Sequence, residues 1–435
     1  MIWLLACTAS EPPLPPPGPV GPPPEAFYAT PSYQLEPGSG EHHNILVVSL
    51  DTVRADSLSP WGGPVQGFPG EAVVSNAISA FPQTCLSHWT MLSGVLPALH
   101  GNTPGNRGSL WPGPTLAELA KKEGFATGAF IGGQTLVDNQ CGLSRGFDTY
   151  DDAFPFNPQD MRRHGREVIG SAQRWIRQQK GSWFAFVHLF DAHFPYTPES
   201  DRFDGTYRGS INGDDSVLRP YRDGDKTPSA EDITHVRALY DSEIAELSDW
   251  LKPLWNVAGE DTLVLITADH GESFEHGYWF NHKDSLRDGV MHVPLLLSGP
   301  GVESGRLEAP MGLIDVTPTL ATLAGLPLDR RMQGRPFGSA APLFSITDPW
   351  DPNGTHQFAE RSNGQLRLSD PKGTRCFSWP GDEEQACVGE DHRQDYQDSV
   401  EALRPQMVEG PTSVLPMTPE ECRRLEALGY VECEG

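Results

Sequence analysis

Four short apolar runs, each separated from the next by a stretch of helical spacing, constrain the fold of this chain more than any other feature. The first, 45–50 (ILVVSL), is rich in β-branched residues and stops at Asp51. Residues 116–123 have helical spacing and end at Gly124, after which 126–131 reads as a strand. A polar-faced helix over 162–179 precedes a buried-type strand at 183–190. Over 233–251 the residues Val236, Leu239, Tyr240, Ile244, Leu247 and Leu251 share one helical face, and 262–267 follows as another apolar strand. Strands that are apolar on both faces and alternate with helices predict an α/β fold, a mostly parallel sheet covered on both sides. Ligands of such sheets bind outside the carboxyl ends of the strands. Asp51 and Asp269 both stand at such an end.

The 435 residues suit one large α/β unit with an appendage, and 37% hydrophobic residues are enough for a large core rather than a disordered chain. Proline is unevenly spread. Eleven of the 41 prolines fall in the first 40 residues, a stretch that favours extended polyproline II and reads as a stiff spacer. Ahead of it, Leu4-Leu5-Ala6-Cys7 resembles the lipobox of bacterial lipoproteins, although the apolar run from Ile2 is short for a signal segment and no cationic region precedes it. Together these predict an exported protein, in the periplasm or at the cell surface, with a membrane tether through Cys7. No other segment approaches the roughly 18 apolar residues of a membrane-crossing helix.

Lys and Arg number 32 against 58 Asp and Glu, a formal charge of −26. A nucleic-acid-binding surface must be cationic to displace phosphate counterions, so nucleic acid is not an expected partner, and no feature points to a protein partner. Beyond Cys7, the cysteines stand at 85, 141, 376, 387, 422 and 433. The short separations predict local Cys376–Cys387 and Cys422–Cys433 disulfides in an oxidising compartment, with free thiols as the alternative.

At the strand ends, Asp269-His270-Gly271 sets a carboxylate beside an imidazole, and Asp51 offers a second carboxylate. Such a set suits Zn²⁺, Mn²⁺ or Ca²⁺ better than a soft metal. Strand-end aspartates also serve simply as helix caps.

The surrounding wording is more specific. Residues 44–56 (NILVVSLDTVRAD), 83–101 (QTCLSHWTMLSGVLPALHG), 115–127 (TLAELAKKEGFAT), 145–148 (RGFD), 187–198 (VHLFDAHFPYTP), 267–277 (TADHGESFEHG) and 292–301 (HVPLLLSGPG) together resemble the bacterial sulfatase-like branch of the alkaline phosphatase superfamily. So do 314–325 (IDVTPTLATLAG) and 425–431 (LEALGYV). The resemblance implies an α/β/α sandwich with a small C-terminal antiparallel subdomain, acting on an anionic sulfate or phosphate ester at a metal site. The expected division is a lipobox-like start and linker at 1–40, a catalytic domain at 41–345 and a C-terminal subdomain at 346–435. That last part holds 18 acidic and 8 basic side chains, which places the densest acidity away from the strand ends that receive the anion.

Carried over position by position, the resemblance makes Asp51, Asp269 and His270 metal ligands. Sulfatases use a cysteine matured to formylglycine, with a serine three places on. Here Ser87 and the following Leu92-Ser93-Gly94 set the register, which puts Thr84 at the nucleophile position, where it would also touch the metal. Cys85 falls one step past it, without the family's Pro and Arg, and reads as a small buried residue or half of a disulfide. A threonine there resembles the phosphodiesterases and the phosphoethanolamine or glycerophosphate transferases of the superfamily. Its weakly acidic hydroxyl needs a metal to become a useful nucleophile. His193 and His282 match substrate-oxyanion histidines, and Lys283 adds a charge beside them.

His88 is expected to orient the Thr84 turn, His276 and His292 to be structural, and His188 to be a core histidine. Thr52 replaces the second aspartate common in sulfatases, which removes one hard ligand. A second metal would require Asp191, His193 and His282 to converge. Three functions stay open: a metal-dependent ester hydrolase with a covalent Thr84 intermediate, an envelope transferase or phosphodiesterase, and a non-catalytic binder on the same fold.

Overall fold

The computed structural model describes residues 43–101, 111–154, 161–329, 331–338, 342–347, 357–381 and 383–403. Cys7, the proline-rich spacer, Cys422, Cys433 and the segment 425–431 lie outside these described residues.

Strand β1 (Asn44–Leu50) occupies the middle of an eight-stranded sheet. It pairs in parallel with β2 (Trp183–Leu189) on one side and β3 (Thr262–Thr267) on the other. Beyond β2 come Ala126–Phe130 and Thr149–Asp151, also parallel. Beyond β3 come Leu295–Ser298, which runs antiparallel, then Ala72–Val74 and Gly305–Leu307. Every residue of β2 is buried, as is β1 from Ile45 onward, which explains why these strands read as continuous apolar runs rather than alternating ones.

The register aligns Ser49 of β1 with Thr267 of β3. Two residues further on, Asp51 and Asp269 therefore emerge side by side at the carboxyl edge. After β1 the chain first adds Ala72–Val74 beyond β3, then crosses to build Ala126–Phe130, Thr149–Asp151 and β2 on the other side before returning to β3, so this edge is also a point where the strand order reverses.

Helix α1 (Thr84–Ser93) points its first turn at that edge and is buried along its whole length, ending where Gly94 adopts the left-handed conformation. Helix α2 (Gly165–Ile176), α3 (Asp215–Arg222) and α4 (Ala230–Ala258) follow. The helix α4 outruns the expected 233–251 for two local reasons. Ser229 and Asp232 form a reciprocal capping box at its start, and Leu254 and Ala258 extend the buried stripe at its end. The strand β4 (Tyr278–Asn281) forms a hairpin with Ser273–Glu275. Its turn residues, His276 and Gly277, have φ of 59° and 77°, which gives His276 a turn role.

A separate five-stranded antiparallel sheet begins at Leu343–Ile346, ahead of the boundary expected at 346. It has its own core, in which Leu366, Leu368 and Phe377 pack on Leu286, Val290 and Met291 of the main body. Arg361 is buried there, with its guanidinium donating to the Leu286 carbonyl at 2.7 Å and to Asp288 Oδ1 at 2.9 Å.

Cys376 and Cys387 are joined, as their spacing suggested, and Cys85 pairs with Cys141. The second link spans a sequence separation of 56. Closing a loop of that size stabilises the fold by roughly 4 kcal/mol on the chain-entropy account. The Cys85→Ser, Cys141→Ser double variant is expected to lose about 2–4 kcal/mol, read as a lower unfolding midpoint in denaturant. The wild type should show at least that loss when reductant is added, since Cys376–Cys387 opens as well, and an unchanged midpoint in both would mean that the link contributes nothing.

Candidate active site

Asp51, Asp269 and His270 are fully buried, and one ligand atom from each lies within 4.8 Å of the others. Their hydrogen bonds account for only half of each group. Asp51 Oδ2 accepts from His188 Nε2 at 3.0 Å, and Asp269 Oδ1 accepts from the amides of His270 at 2.9 Å and Thr52 at 3.2 Å. The His270 Nδ1–H donates to the Gly271 carbonyl at 3.0 Å, which leaves Nε2 with its lone pair facing the carboxylates when the ring is neutral. Asp51 Oδ1, Asp269 Oδ2 and His270 Nε2 thus remain buried without hydrogen-bond partners. Three electron-rich atoms converging in a water-excluded pocket fit a divalent cation, and two hard oxygens with one imidazole fit Zn²⁺, Mn²⁺ or Ca²⁺.

The electrostatics agree. Burial, followed by the charge on Asp269, raises the Asp51 carboxyl well above its usual range. Burial works the same way on Asp269, but His270, His88 and His188 outweigh it and hold that carboxyl low. Burial opposes a charged His270, yet Asp269 and Asp51 raise its basicity overall. Two carboxylates this close cannot both carry full charge unless a positive group lies between them.

Thr84 is the first residue of α1 and is fully buried. Its hydroxyl hydrogen-bonds to the Asp51 carboxylate and favours that group's charged form. Two neighbours on α1 fix this turn. His88 Nδ1–H donates to the Thr84 carbonyl at 2.7 Å, and His88 Nε2 accepts from the Ser49 hydroxyl at 2.8 Å. Burial lowers the His88 pKa to about 3, which keeps the ring neutral in this role. Ser87 donates to the Asp269 carbonyl at 2.7 Å, tying α1 to the opposite strand end. Cys85 is taken up in its disulfide.

Thr52 shows what became of the second aspartate position. It sits at φ 60°, a conformation a β-branched residue adopts only at a cost of about 1–3 kcal/mol. Its hydroxyl donates to the carbonyls of Asp51 at 2.7 Å and Ala192 at 3.1 Å. The residue therefore holds the strand end in shape and contributes no ligand.

His282 lies with its ring centroid 4.3 Å from that of His270, and His193 lies 5.4 Å from His282. Burial pushes both below the usual histidine range. His193 Nδ1–H donates to the Phe194 carbonyl at 2.9 Å, and its ring stacks on Phe190 at 4.3 Å. His282 Nδ1 meets Glu272 Oε1 at 3.3 Å, and its Nε2 is buried without a partner.

Asp191 does not join these histidines. Its Oδ1 accepts from the Gly165 amide at 3.0 Å at the start of α2, and it lines a separate cavity of about 450 Å³ with Arg162 and Glu243. The convergence that a second metal would need is therefore absent among the described residues. His292 bonds the Ser75 carbonyl, a structural contact.

Two residues differ from expectation or were missed. His188 is buried, as expected of a core histidine, but its contact is with Asp51 rather than with apolar neighbours alone. Burial lowers its pKa to about 4, so a neutral Nε2–H holds the carboxylate. Glu272 was not singled out. It is fully buried, accepts from the Tyr196 hydroxyl at 2.9 Å and orients His282. Its place two residues after His270 on the same turn was the available signal. Gly271 between them is required, because a Cβ there would collide with the Gly289 carbonyl.

A family model described as Sulfatase matches residues 43–326. The chain belongs to the sulfatase family. Zebrafish (Danio rerio) arylsulfatase K is 37% identical over 122 residues, spanning 26% of this chain and 22% of that protein. Choline-sulfatase of Rhizobium meliloti is 35% identical over 127 residues, spanning 29% of this chain and 24% of that enzyme. These matches thus span about a quarter of the relatives' length. The phosphonate monoester hydrolase of Agrobacterium radiobacter superposes with a TM-score of 0.60 at 19% identity, covering 87% of this chain and 98% of that one. At that identity the likeness shows the fold, an alkaline phosphatase-like α/β sandwich shared by this sulfatase-family chain.

The His188 contact has a measurable consequence. A neighbour that orients a metal-binding carboxylate typically accounts for about 10–100-fold in metal affinity. His188→Gln is expected to weaken Mn²⁺ or Zn²⁺ binding by that factor in calorimetric titration. An unchanged dissociation constant would detach His188 from the site.

Proposed function

We propose that this chain is a metal-dependent hydrolase of sulfate or phosphate esters in which Thr84 is the nucleophile and forms a covalent ester intermediate. The observation that carries this reading is the Thr84 hydroxyl at the start of α1, bonded to Asp51 beside three convergent ligand atoms that make no hydrogen bond. Asp51, Asp269 and His270 would hold a divalent cation, whose charge would lower the Thr84 hydroxyl pKa and offset that of the ester anion.

The residues then divide the work. The Thr84 proton passes to the Asp51 carboxylate as the bond from Thr84 Oγ to phosphorus or sulfur forms and the bond to the departing alcohol breaks. His282, which takes up a proton as the anion arrives, returns it through Nε2 to the alcohol oxygen. In the second half, water attacks the same phosphorus or sulfur, its proton goes to His282, and Thr84 recovers its own from Asp51. Glu272 holds the His282 ring in place through Nδ1, and His193 lines the same side. The N-terminus of α1 adds a positive field where charge accumulates. Two disulfides in the body fit an oxidising compartment and support export. Among the described residues no helix is long and apolar enough to cross a membrane.

Aryl sulfate, phosphate monoester and phosphodiester substrates, assayed with and without added metal, test this directly. Thr84→Ala should lower turnover by about four orders of magnitude or more while metal stays bound, and Cys85→Ser should keep turnover. Quenched wild-type enzyme should carry one sulfuryl or phosphoryl group on Thr84 by peptide mass spectrometry. Loss of activity in Cys85→Ser with retention in Thr84→Ala would reverse the assignment.

Lys283 gives a pH signature. Burial, with Arg222 nearby, lowers its pKa to about 8, so its charge is present below that pH and lost above it. The free-enzyme parameter kcat/KM for an anionic ester is therefore expected to fall as pH rises through about 8, and Lys283→Arg should move that limb upward. A flat profile between pH 7 and 9.5 in both would exclude Lys283 from anion binding.

A further inference from the structure

Arg222 closes α3, and α3 packs on β4, the strand that leads directly into His282 and Lys283. The guanidinium is half-buried and lies over the Phe194 ring at 4.7 Å. It has no hydrogen bond or ion pair among the described residues. Other buried or partly buried arginines of this strongly acidic chain do have carboxylate partners: Arg54 has Asp56, Arg145 has Glu118, Arg163 has Asp151 and Arg361 has Asp288. The Glu272 carboxylate feels the charge of Arg222, but its two oxygens are engaged elsewhere, one on Tyr196 and the other facing His282.

Position decides what an anion at Arg222 could be. From the Asp51–Asp269–His270 set the line of groups runs outward to His282, then His193, then Phe194 with Arg222 over its ring. The oxygens on the transferred phosphorus or sulfur are engaged at the inner end of that line. Arg222 stands at the other end and is part-exposed where both imidazoles are buried, so it is placed to meet a group carried on the alcohol portion of the ester rather than the transferred group. The positive field of Arg222 reaches His193, His282 and Lys283, lowering the basicity of each, and a cation without a hydrogen-bonded carboxylate concentrates anions locally.

We propose that Arg222 forms a subsite for a second anionic group on the alcohol portion of the substrate. The substrate is then a sulfate or phosphate ester of an alcohol that itself bears a carboxylate or a further sulfate or phosphate. This rests on the ester-hydrolase reading above.

The test uses metal-supplemented full-length protein and aryl esters that differ only at the para position: a carboxylate, a sulfonate or a neutral carboxamide. Wild type should favour the charged esters over the carboxamide by about tenfold or more in kcat/KM, the size of one charge-assisted hydrogen bond that is partly desolvated. That preference should collapse to within about threefold in Arg222→Gln and be partly kept in Arg222→Lys. The carboxylate and sulfonate arms identify which second anion is read. The same ligands, titrated calorimetrically into Thr84→Ala, give the preference as a ratio of dissociation constants without turnover. If wild type hydrolyses none of the esters but Arg222→Gln abolishes the charge preference in binding, the hydrolase reading fails and the subsite stands. No charge preference in wild type, or the same preference in Arg222→Gln, overturns the subsite.

Discussion

The structure turns on two buried carboxylates that the sheet forces together. Parallel pairing of β1 and β3 sets Asp51 beside Asp269 where no water reaches, and like charges at such a distance are costly unless something positive intervenes. Much of the surrounding structure responds to this arrangement. His270 turns its free nitrogen toward the pair, His188 grips one oxygen of Asp51, and Thr52 accepts a strained backbone so that its amide can reach Asp269. The Thr84 turn is seated on the same arrangement through His88 and Ser87. The site is therefore held from four directions before any ligand arrives, which is what preorganisation requires.

The strand ends were legible because β1 and β3 are apolar on both faces, so their first polar residues had to mark the edge. The Cys376–Cys387 link was legible through its short separation, and the register with Ser87 drew attention to Thr84, which the fold sets beside Asp51. Other contacts were not legible, for physical reasons. His188 sits inside a strand whose every residue is buried, so periodicity could not tell which side it serves; only the neighbouring strand end supplies Asp51. Glu272 looked like one more acid in a chain with 58 of them, and its importance comes from burial, which sequence does not report. Cys85 and Cys141 are 56 residues apart, too far for spacing to suggest a pair. Arg222 lies on a helix between β2 and α4, in a polar stretch with no apolar run to mark it.

The histidines also show that residue type underdetermines role. His88, His188, His193 and His282 are all buried and all less basic than a free histidine. What separates them is the partner of each nitrogen. His88 uses both nitrogens to hold main chain and Ser49, and His188 uses one to hold a carboxylate. His282 alone among the four combines a carboxylate behind it with a buried, unpartnered Nε2 near the metal-binding set. That combination suits proton transfer better than static anchoring.

Arg361 carries a consequence for how this protein can be divided. The Sulfatase family model ends at residue 326, which invites treating everything after it as a detachable module. Yet Arg361 reaches back from the C-terminal sheet to clamp Leu286 and Asp288, in the loop that follows His282, and Leu366 and Phe377 share a core with Val290 and Met291. A chain cut before the C-terminal sheet would keep every residue of the metal-binding set while uncovering the floor beneath the loop after His282. The two sheets are separate in hydrogen bonding but share a core, and the smallest piece that can be expected to hold the candidate site in shape is larger than the part that carries its residues.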